Sequence, residues 1–219
     1  MRVARAQAAA NREKILDVAG ALFRQRGFDG IGVADIMRRA GSTHGGFYGR
    51  FDSKDDLAAE ITTRILGRTG WLQRLTGTAN PSVRQVVRKY LSKRHRDDAG
   101  HGCLFAAVGS DVVRSPRSVR HAFSEGLRSR VDALQDILPG RAAARRRKAL
   151  AMMAGLVGAL ILSRAVDDPA LSDEILEAAA ATRALVTANE RRSHACSSCR
   201  LLRHPCELRS ANHHPGTES

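Results

Sequence analysis

Three groups of residues in this chain have types and spacings suited to chemistry. Thr43, His44, Tyr48, Arg50 and Lys54 lie within one short stretch. Hydroxyls, an imidazole and cations of this kind contact phosphate oxygens and base edges. Cys103 follows Gly100-His101-Gly102 where a helix should start, the setting of a reactive thiol. The same cysteine also reads as a small buried hydrophobe. Cys196, Cys199, His204 and Cys206 form C-x2-C-x4-H-x-C, but the second arm lacks the spacing of a zinc finger, so no metal or other cofactor is expected. There is no Ser/His/Asp array in a recognisable context, no Gly-rich phosphate loop, no HExxH and no paired-carboxylate pattern on one helix. The chain therefore does not read as an enzyme, and one built on Cys103 is the weaker alternative.

The first stretch needs helices to position it. Ile15, Val18, Ala19 and Leu22, widened by Leu16 and Phe23, give an amphipathic helix closed by Gly27. Val33, Ile36, Met37 and Ala40 mark a short second helix that stops at Gly41. Thr43 can cap a third, which Phe47 and Phe51 would pin from one side, leaving His44, Gly45, Tyr48 and Arg50 towards the open side. Ser53 with Asp56 is a capping-box pair for a fourth helix, whose N-terminus beside Lys54 would suit a phosphate. Helix, glycine-containing turn, helix is how a second helix is placed in the DNA major groove.

Gly27-Phe28, Val33-Ala34-Asp35-Ile36, Ala40-Gly41-Ser42-Thr43, Phe47-Tyr48, Phe51 and Ser53-Lys54-Asp55-Asp56-Leu57, in that order, resemble the N-terminal domain of TetR-type (TetR/AcrR) transcriptional repressors. The resemblance implies Thr43, Tyr48 and Lys54 as backbone clamps, with His44 and its neighbours as base readers. It also implies a four-helix dimer interface made from the last two helices of each subunit. Some such repressors with a similar start to this helix sense electrophiles or oxidants, which His101-Gly102-Cys103-Leu104-Phe105 resembles. Gly32 stands where the family usually has Thr or Ser, and Gly46 and Gly49 replace bulkier residues, which leaves the operator sequence open.

The whole chain carries 36 Lys and Arg against 22 Asp and Glu, a formal charge of +14, which points to a polyanionic partner. Residues 1–10, an alanine-rich leader with Arg2 and Arg5, read as a flexible basic arm that, with Arg12, adds phosphate or minor-groove contacts; a frayed terminus is the alternative. Residues 11–57 read as the helix-turn-helix domain, 58–189 as a helical ligand-binding and dimerisation domain, and 190–219 as a disordered Cys/His/Arg tail. The fourth helix should run from Ser53 to Leu75, and five more should follow, for an all-α fold of about nine helices with no strand alternation. The eighth is apolar nearly all round from Leu150 to Leu162, so a second subunit should cover it, with Leu156, Leu160, Ile175 and Ala179 at the interface. Its fourteen-residue apolar run, Ala149 to Leu162, is too short to span a bilayer and the leader has no signal-peptide core, so the protein should be cytoplasmic. Leu66, Trp71, Tyr90, Cys103, Phe105, Phe123, Met152 and Leu156 are the candidate lining of a site for a small apolar or electrophilic ligand. The resulting reading is a homodimeric repressor released from a palindromic operator on double-stranded DNA by a small-molecule inducer. A non-specific basic nucleic-acid binder is the alternative.

Overall fold

The computed structural model describes residues 2–182, and every regular element among them is a helix. Helix α1 (Arg2–Arg26) buries Ile15, Leu16, Ala19, Leu22 and Phe23 along one stripe. It ends where Gly27, at φ 74°, donates its N–H to the Phe23 carbonyl at 2.9 Å. The leader predicted to be an arm is instead continuous with α1, because alanine is the strongest helix former.

Helix α2 (Val33–Arg39) closes with a Schellman turn. Ser42 N–H reaches the Met37 carbonyl at 2.9 Å and Gly41 N–H reaches Arg38 at 3.1 Å, with Gly41 at φ 73°. Helix α3 (Gly45–Tyr48) is a single turn. Its N-cap is His44 with no side-chain cap bond, so Thr43 is not the cap that its position suggested. Two adjacent glycines each weaken a helix by about 1 kcal/mol relative to Ala, so packing of the buried Phe47 and Phe51 holds this turn. Helix α4 (Lys54–Leu66) is capped by Ser53, whose hydroxyl accepts the Asp56 N–H at 3.0 Å.

The predicted run from Ser53 to Leu75 is broken after Leu66. Gly67 caps α4, Gly70 adopts φ 65°, and a separate helix α5 (Trp71–Thr76) follows. Arg74 donates to the carbonyls of Arg68 and Thr69 and so stabilises the break. Helix α6 (Val83–Tyr90) has a full capping box from Ser82 and Gln85. The polar segment after it, read from sequence as a turn, holds helix α7 (Lys93–Asp97) and a 3-10 turn (Ala99–His101). Helices α8 (Leu104–Val112), α9 (Arg117–Ile137), α10 (Ala142–Ala165) and α11 (169–182) complete the described chain. The additions to the nine expected helices are the short α5 and α7.

The described residues fall in one compact unit, so no gap in packing separates residues 11–57 from the body. Helix α4 lies against α9 at Gly126, where an added Cβ would come within 2.6 Å of Leu66 Cδ1. Helix α10 buries Ala149, Met152, Met153, Leu156, Ala159, Leu160 and Ser163. By length and composition α10 could cross a membrane, but its buried face belongs to this core. Leu156 and Leu160, predicted at a dimer interface, are wholly inside that core, while Ile175 and Ala179 of α11 are partly buried against it. The large apolar residues α10 leaves exposed are instead Leu150, Ile161 and Leu162. Periodicity alone showed an all-apolar helix but not which face its own chain would cover. The predicted tail, with Cys196, Cys199, His204 and Cys206, lies outside the described residues.

Candidate nucleic-acid interface and effector cavity

Phe47 is the anchor of the reading turn. Its ring lies 5.3 Å from Phe51 and 5.2 Å, edge-on, from Tyr48. With Phe47 buried, Tyr48 is turned outward and is 63% exposed, and Thr43, His44 and Gly45 are exposed beside it. His44 and Tyr48 touch edge to face at 5.9 Å, so an imidazole and a phenol are presented together on the exposed side of the turn. Arg50 differs from expectation. It is half-buried and donates to the Gly46 carbonyl at 2.5 Å, which makes it a brace for the turn. Lys54 stands half-buried at the first position of α4.

Arg12 is not part of a loose basic arm. Its guanidinium grips both Glu60 carboxylate oxygens at 2.6 Å and lies 4.8 Å over the Phe51 ring, tying α1 to α4. The hydrogen bonds to Glu60 raise the Arg12 pKa further, consistent with a committed ion pair. Arg64 makes a second tie from α4 to Glu13 and Asp17 of α1.

The glycines of the turn differ in kind. Gly45 has open space where a Cβ would project, with an ordinary backbone, whereas at Gly46 a Cβ would sit 3.0 Å from an Arg50 nitrogen. Gly45→Ala should therefore fold with unchanged or slightly higher melting temperature, because helix propensity rises. If the backbone approaches DNA here, the same change should weaken operator binding; unchanged affinity by fluorescence anisotropy would show that no close approach occurs.

The reading unit is keyed to the body at two places. Asp111 of α8 accepts the Phe28 N–H at 2.7 Å, directly after Gly27. Arg24 Nε donates to the Gly100 carbonyl at 2.5 Å, and a Cβ at Gly100 would lie 2.7 Å from Gln25 Nε2, so the 3-10 turn rests on the end of α1.

Arg24 also lines a cavity of about 750 Å³ between α4, α5, α6, α8 and α9. Leu66, Trp71, Tyr90, Cys103 and Phe105 are among its walls. Phe123, Met152 and Leu156 are not: Phe123 packs edge-on against Phe105 at 4.9 Å, and Met153 rather than Met152 reaches the cavity. The sequence stripe placed all these side chains inside but could not separate neighbours on α10. The lining also includes Arg24, Arg68, Arg74, Lys89, Arg94 and Arg130 against one carboxylate, Asp98. A wholly apolar ligand does not match such a site. These cations were missed because they are scattered through five elements, with no run or motif to join them.

Cys103 is half-buried, and its Sγ accepts the Tyr90 hydroxyl at 2.9 Å. The imidazole of His101 is occupied elsewhere, 2.9 Å from an Asp98 oxygen. Burial pushes the Tyr90 pKa well above its usual value, so this phenol remains a donor.

Behind Tyr90, His95 sits edge-on at 4.8 Å with Nδ1 2.6 Å from the Tyr90 carbonyl. Burial lowers its pKa from 6.5, with the Tyr90 carbonyl acting in the opposite sense. The unfolded chain therefore takes up the proton first. His95 costs nothing near pH 8, and stability is lost as pH falls through about 6.5 towards the lower folded value. A melting temperature that falls over this range in the wild type, and falls less in His95→Asn, is the expected result. Parallel curves would remove His95 as the cause.

Residues 15–61 match the family model for bacterial regulatory proteins of the tetR family. The chain is 26% identical over 134 residues to the HTH-type transcriptional repressor NemR of Escherichia coli K12, covering 58% of this chain and 66% of NemR, just under two thirds of that protein. It is 42% identical over 55 residues to the HTH-type transcriptional regulator AcrR of Shigella flexneri, covering 25% of this chain and 26% of AcrR. The crystal structure of reduced E. coli NemR has a TM-score of 0.65 at 23% identity, over 80% of this chain and 95% of that one. A TetR transcriptional regulator from Legionella pneumophila gives 0.67 at 19% identity, over 80% and 96%. At these identities the likeness establishes the fold, and the family is one of regulators, not of enzymes. Residues 15–61 therefore carry the helix-turn-helix pattern of the tetR family of bacterial regulatory proteins, and the all-helical body behind them shares the fold of such regulators.

Proposed function

We propose that the protein is a cytoplasmic, homodimeric transcriptional repressor that leaves a palindromic operator when a small molecule occupies its cavity. The observation that carries the reading is the one-turn α3, which exposes Thr43, His44 and Tyr48 while burying Phe47. Two such turns related by a two-fold axis fit successive major grooves about 34–36 Å apart, or a multiple of that. The exposed Leu150, Ile161 and Leu162 on α10, with Leu171 at the start of α11, offer the apolar face for the second subunit. A ligand against Leu66 and Arg24 presses on α4 and α1 together, the two helices that carry the reading turn. Displacing them changes the spacing of the two turns and costs many phosphate contacts at once.

Selection of bound fragments from a genomic DNA pool tests this. Recovery of a palindrome supports the reading; uniform recovery, with specific binding less than ~10³-fold above non-specific, favours the charge-driven alternative. On the recovered site, Tyr48→Ala and Lys54→Ala should weaken binding to all sequences alike, whereas His44→Ala should alter preference. Uniform loss for His44→Ala would end its role as a base reader.

A further inference from the structure

Six cations line the cavity, and none of them forms an ion pair among the described residues. Elsewhere in the chain, Arg12, Arg64 and Arg96 are paired with carboxylates. Arg68, Arg74, Lys89 and Arg94 are exposed and surround the mouth, while Arg130 is inside, only 6% exposed.

Arg130 is poorly satisfied where it stands. Its guanidinium reaches the Arg68 and Ile65 carbonyls at 3.3 and 3.4 Å, both long for a hydrogen bond. Arg164, which serves a structural role in the same fold, meets the His95 and Arg96 carbonyls at 2.8 and 2.9 Å. An arginine retained only to tie α9 to the end of α4 would be expected to close as tightly. Burial, with Arg74 nearby, instead lowers the Arg130 pKa to about 10. Its guanidinium carbon lies 5.3 Å over the Trp71 ring, and the Trp71 indole N–H is itself buried with no hydrogen-bond partner. A buried, under-satisfied guanidinium on the wall of a cavity is what an anion acceptor would complete.

The rest of the lining sets the body of that anion. Leu66, Phe105 and Met153 are buried apolar side chains, so a compact inorganic ion would leave this part of the cavity unfilled. We infer that the cavity binds an amphipathic organic carboxylate, its head on Arg130 beside the Trp71 ring and its hydrocarbon body against Leu66, Phe105 and Met153. The exposed cations at the mouth would draw such an anion in, at a rate that falls with ionic strength. As the effector of a regulator this ligand rests on the function proposed above, but its binding can be measured without DNA.

Trp71 is the one tryptophan of the chain, so its emission reports this cavity. The probes are octanoate, decanoate and 4-phenylbutyrate, kept below micelle formation, each beside its primary amide, with inorganic phosphate as a compact anion. At least one carboxylate should shift the emission saturably and bind about 10-fold or more tighter than its amide, the scale of one charge-assisted hydrogen bond. Phosphate should bind more weakly than that carboxylate. Arg130→Met should bring the acid down to the level of its amide, and Arg130→Lys should recover part of the difference. Should Arg130→Met lose its fold by circular dichroism, Arg130→Gln followed by calorimetry carries the test, with a weaker acid and an unaffected amide expected. The inference is overturned if no acid binds better than its amide, if phosphate binds as tightly, or if a folded Arg130→Met or Arg130→Gln binds the acid like the wild type. Fragment selection run without any carboxylate separates the two readings: a palindrome with no acid binding removes only the ligand class, and acid binding with no palindrome removes only the regulator.

Discussion

Arginine at both Ile161 and Leu162 should leave the protein folded, monomeric, and about 10²-fold or more weaker on an operator with two half-sites. Both side chains are exposed on a single chain, so the substitutions leave its own core intact. In a dimer they would place unpaired charges in a dry helix interface. The loss on DNA is large because the second half-site is otherwise bound as an intramolecular event, and that advantage disappears with the dimer. Leu156→Arg serves as the contrast. Leu156 is fully buried within its own chain, so a charge there should unfold the protein instead of separating two folded subunits. Sedimentation with circular dichroism distinguishes the outcomes. A doubly substituted protein that still sediments as a dimer would move the interface away from this face of α10.

Gly126→Val should lower stability by about 1–3 kcal/mol, the usual range for overpacking a close contact. For a chain of this length that corresponds to a fall in melting temperature of roughly 2–12 °C. Any β-carbon at residue 126 enters the space of the Leu66 side chain, and the main chains of α4 and α9 cannot both hold position. Leu66→Ala in the same background should recover part of the loss, because it empties the occupied volume, and a double-mutant cycle would read the coupling. Strict additivity of the two changes would show that the helices relieve the contact in another way. Leu66 also lines the cavity, so Gly126→Val should disturb Trp71 emission before any ligand is added.

The legible parts of the sequence were those fixed by local rules. The stripe of α1, the glycine stop after α2, the Ser53 cap and the Phe47/Phe51 pair each depend on residues within a few positions, and each is found as read. What failed had tertiary causes. The break after Leu66 depends on two glycines enclosing Arg68-Thr69 and on Arg74 folding back over their carbonyls, whereas the apolar spacing continues across it. Leu156 and Leu160 share the apolar character of Ile161 and Leu162, and only the position of the neighbouring helices decides which pair is inside. The basic cavity was the least legible, because Arg24, Arg94 and Arg130 come from distant elements and meet only in the folded chain. Gly126 carried no signal beyond being a glycine within a helix, which sequence reasoning counts as a weakness and not as a close approach.

The bond from the Phe28 N–H to Asp111 bears on how freely such proteins can exchange parts. A reading head cut after Leu57 and grafted onto another helical body would carry Gly27 and Phe28 with it and leave their acceptor behind. The orphaned N–H and the unsupported turn would then loosen the junction between α1 and α2, so a chimaera should keep its operator preference while losing its grip. Transplanting the head together with an aspartate at the matching place on the recipient's helix should restore it, which makes residue 111, far from any base, part of the inheritance of the DNA-reading module.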